Sequence, residues 1–361
     1  MRKLALAISL VVTGTAIPTV QADTVYTGDR VQGVPVISQL DIADLEPGKM
    51  HRFMFQGATD GIGQFFYVPV IVAKGAQPGT KLVFNSGNHG DEVNGIRAVQ
   101  KIMDGIDPAR LSGSVVAVPG TNPNAINRIT REWTTYNSGG TSTNFNRLFP
   151  GKENGTGPEQ HAWLLWNKLW QGNVEYAFDF HSQATGHDSP FFIYADYRDP
   201  RIERIAELFP VDQIKKDPGE KGSLETTFVE NSIPAITLEL GPPRGFNTDM
   251  VDRAVEGARN VMINLKMIEG KIGRTAITMD AFVGDKTTMI RAEQGGYNEP
   301  LVAPGDQVKK GQIVARQLNM FGDTIKEYTA PVDGKVLSIG SDAAREPRAT
   351  LVRLMTQSPD A

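Results

Sequence analysis

The sequence contains no cysteine. That absence excludes thiolate metal ligands, a cysteine nucleophile, a disulfide framework and a lipid-modified cysteine behind a signal. The fold must therefore rest on its core alone, which a chain of 361 residues can supply. Also missing is any apolar run long enough to cross a bilayer. The run Leu4–Val12 has nine residues, against the ~20 that a spanning helix needs. There is no basic tract and no block of like charge, and the formal net charge is −4. Nucleic acid and anionic membrane are accordingly not expected as partners.

Arg2 and Lys3 precede that short apolar run, and a polar stretch follows, ending in Val20-Gln21-Ala22. This is the three-part layout of a secretory signal, too short for an anchor. Residues 1–22 are therefore expected to be removed after Ala22, leaving Asp23 first and a periplasmic or secreted protein. Cleavage takes away two positive charges, for a net charge of about −6.

From Asp23 to Met279 strand-like and helix-like segments alternate. Phe66–Ala73 and Lys81–Asn85 are short, rich in β-branched and aromatic residues and bounded by Gly, Pro and Asn, so they read as strands. Val93–Ile106 places Val93, Ile96, Val99, Ile102 and Met103 on one helical face. Ser114–Val118, Tyr176–Phe180 and Ala235–Leu240 read as strands; Gln160–Trp170, Arg201–Phe209 and Met250–Glu269 read as helices. The pattern predicts an α/β domain over residues 23–279, a mostly parallel or mixed sheet flanked by helices. Beyond it, residues 280–361 carry short β-like runs between turns such as Pro304-Gly305-Asp306 and Pro331-Val332-Asp333-Gly334. No helical period survives there, which predicts a small all-β, barrel-like domain.

The chemistry-bearing residues cluster at strand ends. Lys81–Asn85 runs into Ser86-Gly87-Asn88-His89-Gly90-Asp91-Glu92 and then into a helix. His89 and Glu92, three apart at a strand-to-helix turn, can converge on one point at the carboxyl end of a strand, where open α/β sheets bind ligands. Imidazole and carboxylate are good zinc ligands, and three protein ligands leave a fourth position for water. Gly87 and Gly90 would let the backbone turn beside the metal. A lone His-x-x-Glu pair also arises by chance on helix surfaces. His181, in Phe178-Asp179-Phe180-His181, lies at a second strand end, with Asp179 on the same face as a partner for its other ring nitrogen. On its own His181 is equally a hydrogen-bonded loop histidine.

Five motifs then come in one order: His89-Gly90-Asp91-Glu92, Asn122-Pro123-Asn124-Ala125, Asn146-Arg147-Leu148-Phe149-Pro150-Gly151, Asp179-Phe180-His181 and Glu239-Leu240-Gly241. Together they resemble the succinylglutamate desuccinylase/aspartoacylase family of zinc carboxypeptidase-like hydrolases, over nearly the whole chain after the signal. The resemblance implies a zinc exopeptidase-like fold and one Zn2+ per chain, held by His89, Glu92 and His181. It implies Glu239 as general base and then general acid, Asn146 and Arg147 as the grip on a substrate carboxylate, and Arg131 as the cation steadying the reacting carbonyl. Two departures stand out: Asn144-Phe145-Asn146-Arg147 replaces the usual Asp-Leu-Asn-Arg, and residues 132–143 look inserted. Independently of the family, Arg244 offers a second cation for substrate five residues past Glu239.

Other residues read as structural. His187 and Asp188 belong to a polar loop near the pocket, Trp163, Trp166 and Trp170 have the spacing of packing residues, and His51 and His161 stand alone. The β-rich tail is similar to a biotinyl/lipoyl fold, but its hairpin tip Asn319-Met320-Phe321-Gly322-Asp323 has no lysine to modify, and Lys326 comes too late. A carrier role is thus disfavoured. The expectation is an exported zinc amidohydrolase for an N-acyl amino acid or small carboxylate-bearing peptide. A carboxypeptidase-type or cell-wall-peptide hydrolase, and a binding protein without turnover, remain the alternatives.

Overall fold

The first five strands follow one another without an intervening α-helix. The computed structural model describes residues 23–135 and 140–358; the expected signal, residues 1–22, lies outside them. β1 (Val25–Val31), β2 (Val34–Gln39), β3 (Lys49–Thr59), β4 (Phe65–Lys74) and β5 (Gln77–Ser86) lead to α1 (Val93–Asp104). Next come β6 (Ser112–Val118), α2 (Pro123–Ile126), the short strands β7 (Trp133–Thr134) and β8 (Ser142–Thr143), and α3 (Gly157–Leu164). β9 (Tyr176–His181), β10 (His187–Asp188), β11 (Phe191–Ala195), α4 (Pro200–Glu207) and β12 (Gln213–Lys216) follow. α5 (Leu224–Glu230), β13 (Ala235–Leu240), α6 (Thr248–Asn264) and β14 (Phe282–Gly284) complete this part.

Eleven of these strands form one mixed sheet in the order β1-β2-β3-β4-β6-β5-β9-β13-β11-β12-β14. Its centre, β6-β5-β9-β13, is parallel, and antiparallel joins flank it at β4–β6 and β11–β13. Central strands are buried on both faces, as a sheet covered by helices on both sides requires, and the alternation of their residues divides the core in two. Leu82, Phe84, Phe178, Phe180, Ile236 and Leu238 pack with residues of α1, α4 and α6. Val83, Val116, Ala177 and Ala235 face the other way, toward α3, α5 and Trp166 and Trp170. The helix expected over residues 160–170 is α3 continued by a π-helical stretch, Leu165–Trp170, and both of those tryptophans pack in the core.

The remaining strands are β15 (Lys286–Arg291), β16 (Gly296–Pro300), β17 (Gln307–Val308), β18 (Ile313–Leu318), β19 (Thr324–Thr329), β20 (Gly334–Gly340), β21 (Ala344–Arg345) and β22 (Thr350–Thr356). They form two sheets around a small core that includes Val308, Val314, Val336, Val352 and Leu354. Strands cross the sequence boundary in both directions. β14 extends the large sheet beside β12, whereas β10 joins the C-terminal sheet beside β20. Phe192, Leu337 and Met355 seal the seam. No helix among the described residues is long and apolar enough to cross a membrane.

Candidate active site

On the α3-side face, the apolar pattern breaks at the carboxyl ends of the central strands. β9 alternates Ala177, Asp179, His181 on that face with Phe178 and Phe180 on the other, and β13 likewise alternates Ala235, Thr237, Glu239 with Ile236, Leu238 and Leu240. Pairing brings Asp179 opposite Thr237 and His181 opposite Glu239, and residues directly opposite each other share a face. Glu239 therefore points into a polar pocket, away from its apolar sequence neighbours.

The turn after β5 carries the other candidate ligands. Gly87 adopts φ +77°, a left-handed conformation that costs glycine little. Gly90 serves differently from the turn residue expected: a Cβ there would collide with the backbone of Ala125 and Ile126. The chain can thus lie against α2, whose first turn is capped by Asn122 Oδ1 accepting from Ala125 N–H at 3.1 Å. Asn122 Nδ2 also donates to the Asn88 carbonyl at 3.0 Å, so the Asn-Pro-Asn-Ala motif buttresses the His89 turn. Glu92 occupies the N-cap of α1 without making a capping bond itself, leaving its carboxylate free for the pocket in the favourable field of the helix start.

His89, Glu92 and His181 are buried, with one potential donor atom from each lying within 4.8 Å of the others. Nδ1 of His89 is 2.8 Å from Glu92 Oε1, and Nδ1 of His181 is 2.6 Å from Glu92 Oε2. Each outer nitrogen is anchored: His89 Nε2 meets Asn144 Oδ1 at 3.0 Å, and His181 Nε2 meets Asp179 Oδ2 at 2.8 Å. An oxygen at Nε2 can hold the proton there and leave Nδ1 to a metal ion, the arrangement a metal-ligating imidazole requires. Asp179 is held in turn by Asn85 and Asn88. Burial pushes Glu92 up, but the two histidines outweigh it and hold the carboxyl well below its usual range. Burial pushes His181 down, yet Asp179 and Glu92 hold it well above its usual value. The carboxylates of Glu92 and Asp179 thus favour positive charge at this point, and the two-nitrogen, one-carboxylate donor set fits a divalent zinc ion.

Burial, aided by the charge of Glu92, pushes the Glu239 carboxyl up to about 8. Its Oε2 accepts from Gln183 Nε2 at 3.1 Å. Arg131 reaches into the same pocket and pairs with Glu92 Oε1. Asn146 sits beside His181, and its Oδ1 accepts from Leu224 N–H at 2.8 Å, tying it to the start of α5. Arg147 lines the pocket, but its guanidinium is engaged by Glu220 and by the Asn146 carbonyl. Arg244 is not brought in. It is exposed, donates to Thr185 Oγ1 at 3.0 Å and the Ile129 carbonyl at 3.2 Å, and is absent from the pocket wall.

Residues 78–265, more than half the chain, match the model of the succinylglutamate desuccinylase/aspartoacylase catalytic domain. The chain belongs to the succinylglutamate desuccinylase/aspartoacylase family. Members of this family are amide-bond deacylases. The N-alpha-acetyl-L-2,4-diaminobutyric acid deacetylase of Halomonas elongata is 28% identical over 279 residues, covering 74% of this chain and 79% of the relative. Among solved structures, the product-bound ectoine utilization protein of Ruegeria pomeroyi superposes with a TM-score of 0.76 at 21% identity, over 87% of this chain and 97% of that one. A succinylglutamate desuccinylase/aspartoacylase from Rhodobacter sphaeroides does so with 0.76 at 20% identity, over 88% and 98%. At these identities the structural likenesses establish the shared fold.

Beyond the family's motif residues, the pocket encloses about 480 Å³ and is lined by groups that no motif announced. Tyr194 on β11 faces Lys215 on β12 across a parallel pairing, and Lys215 Nζ is held by Asp217 at 3.0 Å. Glu225, in the first turn of α5, is buried, with only the neighbouring Thr226 hydroxyl donating to it among the described residues, and burial pushes it up to about 8. His187 lines the pocket from β10, and Thr287, Ser338 and Arg353 line it from the C-terminal sheet. A charged residue inside an otherwise apolar strand, Arg353 in Thr350–Thr356, was the available sequence signal. His161, in contrast, is a core residue: it accepts from Ala58 N–H at 3.2 Å and meets the Thr121 carbonyl at 2.9 Å.

Proposed function

We propose that this chain is an exported, zinc-dependent amidohydrolase that removes the acyl group from an N-acyl amino acid or a comparably small, carboxylate-bearing amide. The observation that carries this reading is the placement of Glu239 directly across a strand pair from His181, within a pocket shared with His89 and Arg131. Zinc bound by His89, Glu92 and His181 would supply Lewis acidity, making water acidic enough to attack at neutral pH.

The chain's own groups account for the remaining steps. Glu239, partly shielded from solvent and with a carboxyl poised near neutrality, is suited to take a proton from the attacking water and return it to the leaving nitrogen. Arg131 supplies N–H donors for the oxygen that gains charge as the carbonyl is attacked, a contribution of about 3–4 kcal/mol for one well-placed donor. Asn146, fixed by Leu224, borders the same space. A cavity of about 480 Å³ suits a small acylated amino acid better than an extended peptide. Export is supported by the signal-like pattern of residues 1–22, and the Halomonas deacetylase supports an acylated amino acid as substrate class.

The test is metal analysis of the purified protein, followed by a panel of N-acetyl and N-succinyl amino acids and short peptides. Zinc bound near one per chain with turnover on acylated amino acids is the expected result. Turnover confined to peptides would replace the deacylase reading with the peptidase one, and no turnover on any substrate would overturn it.

A further inference from the structure

We propose that Arg353, supported by Tyr194, is the carboxylate anchor of the pocket, so that the C-terminal region supplies the group orienting the substrate. This rests on the deacylase reading above. It assigns the role to a residue outside the sequence motifs and outside the stretch that matches the catalytic-domain model.

Four arginine and lysine side chains line the pocket: Arg131, Arg147, Lys215 and Arg353. Arg131 pairs with Glu92, Arg147 with Glu220 and Lys215 with Asp217. Arg353 has no carboxylate partner among the described residues. It is half-buried, its Nε is buried without an acceptor, and its one side-chain hydrogen bond among the described residues runs from Nη1 to Tyr194 Oη at 3.3 Å. A guanidinium carries five N–H donors in a planar fork matched to a carboxylate. Leaving it half-desolvated and unpaired is unfavourable unless an anion arrives.

Position supports the same role. Arg353 lies on the face of β22 turned toward the large sheet, one side-chain period from Met355, which packs against Phe192. Ser338 lies opposite it on β20. Tyr194 shares a face with Phe192 on β11, and Phe192 pairs with Glu239. Across the order β9-β13-β11, Tyr194 is in register with Thr237 and, beyond it, Asp179, so it stands two strands over and two residues back from His181, roughly 12 Å at the usual strand spacing and rise. A carboxylate held there leaves room for the scissile amide near Glu239. Burial pushes the Tyr194 hydroxyl up to about 12, so it stays protonated and can donate to the anion while accepting from Arg353. Arg147, already taken up by Glu220, is the weaker candidate for this task.

The experiment compares N-acetyl-L-alanine with N-acetyl-L-alaninamide, which differ only in the carboxylate, on the zinc-loaded full chain. The wild type is expected to prefer the carboxylate at least tenfold in kcat/KM. Arg353→Met should collapse that ratio toward one, mainly through KM, Arg353→Lys should restore part of it, and Tyr194→Phe should lower it less. An unchanged ratio in Arg353→Met, or an equal loss on both compounds, would overturn the proposal. Calorimetric binding of the same pair to Glu239→Gln, with and without Arg353→Met, reads the anchor without turnover. If the wild type hydrolyses neither compound, this arm still decides the anchor: selective loss of carboxylate binding upholds it, and undiminished binding rejects it.

Discussion

Glu239 on β13 stands in register with His181 on β9, so a proton-transfer group and a candidate metal ligand share one face of adjacent strands. Glu239→Gln keeps the shape and removes the basic oxygen. It should lower kcat by about 10²–10⁴ while zinc content stays at the wild-type level. Steady-state kinetics with parallel metal analysis checks this, and full turnover in the variant would remove Glu239 from the mechanism.

His89 meets Glu92 through Nδ1 and Asn144 through Nε2. His89→Ala takes away one of the three candidate ligands, and a three-ligand zinc site tolerates that poorly. Mass-spectrometric metal analysis should find the zinc content falling from about one per chain to near zero. Wild-type metal content in this variant would show that the ligands lie elsewhere.

Gly95 lets α1 press against the backbone of β9, since a Cβ there would strike the Phe180 carbonyl. Phe180 precedes His181, and Glu92 precedes α1, so this contact sets the separation of two candidate ligands. Gly95→Ala should cost about 1–3 kcal/mol through overpacking and weaken zinc retention in a chelator competition. An unaltered unfolding midpoint together with unaltered retention would refute the idea.

His161 is buried in its neutral form, and burial lowers its pKa to about 4. The unfolded chain binds a proton at this residue from about pH 6.5, whereas the folded chain resists it until about pH 4. The stability it contributes is thus complete above pH 6.5 and is lost as the pH falls toward 4, by roughly 3 kcal/mol. Urea unfolding at pH 7 and pH 4.5 should show a smaller drop in His161→Gln than in the wild type. Equal drops would mean that this histidine does not set the acid sensitivity.

Produced in a bacterium with an intact export pathway, the full chain should accumulate in the periplasm or medium with Asp23 as its first residue. Mass determination of the intact product decides it, and a cytoplasmic product that retains residues 1–22 would end the export reading.

Local periodicity made much of the fold legible. β9, β13 and α1 could be placed because their alternation or helical stripe lies within one segment. The antiparallel joins at β4–β6 and β11–β13 were not readable, since strand order depends on contacts between segments distant in sequence. The site divides in the same way. His89 and Glu92 share one turn, and His181 ends a strand that alternates visibly with Asp179. Tyr194 and Lys215 come together through the register of β11 and β12, and Arg353 on β22 joins them only because a second sheet packs there, so their sequence neighbours gave no hint of one pocket. Arg244 had the right charge and a suggestive distance from Glu239, but the positive φ of 62° at that position directs a loop whose guanidinium contacts Thr185 and Ile129 instead.

The exchange of β10 and β14 across the sequence boundary bears on how the protein can be inherited or cut. A gene fragment ending at residue 279 would leave β12 as a bare edge, open to pairing with other chains, and would delete Thr287, Ser338 and Arg353 from the cavity. The tail is therefore not an appendage that recombination can trade freely. Any lineage that changes it also redraws one wall of the pocket, so selectivity can evolve at the end of the chain while the turn at His89 stays as it is.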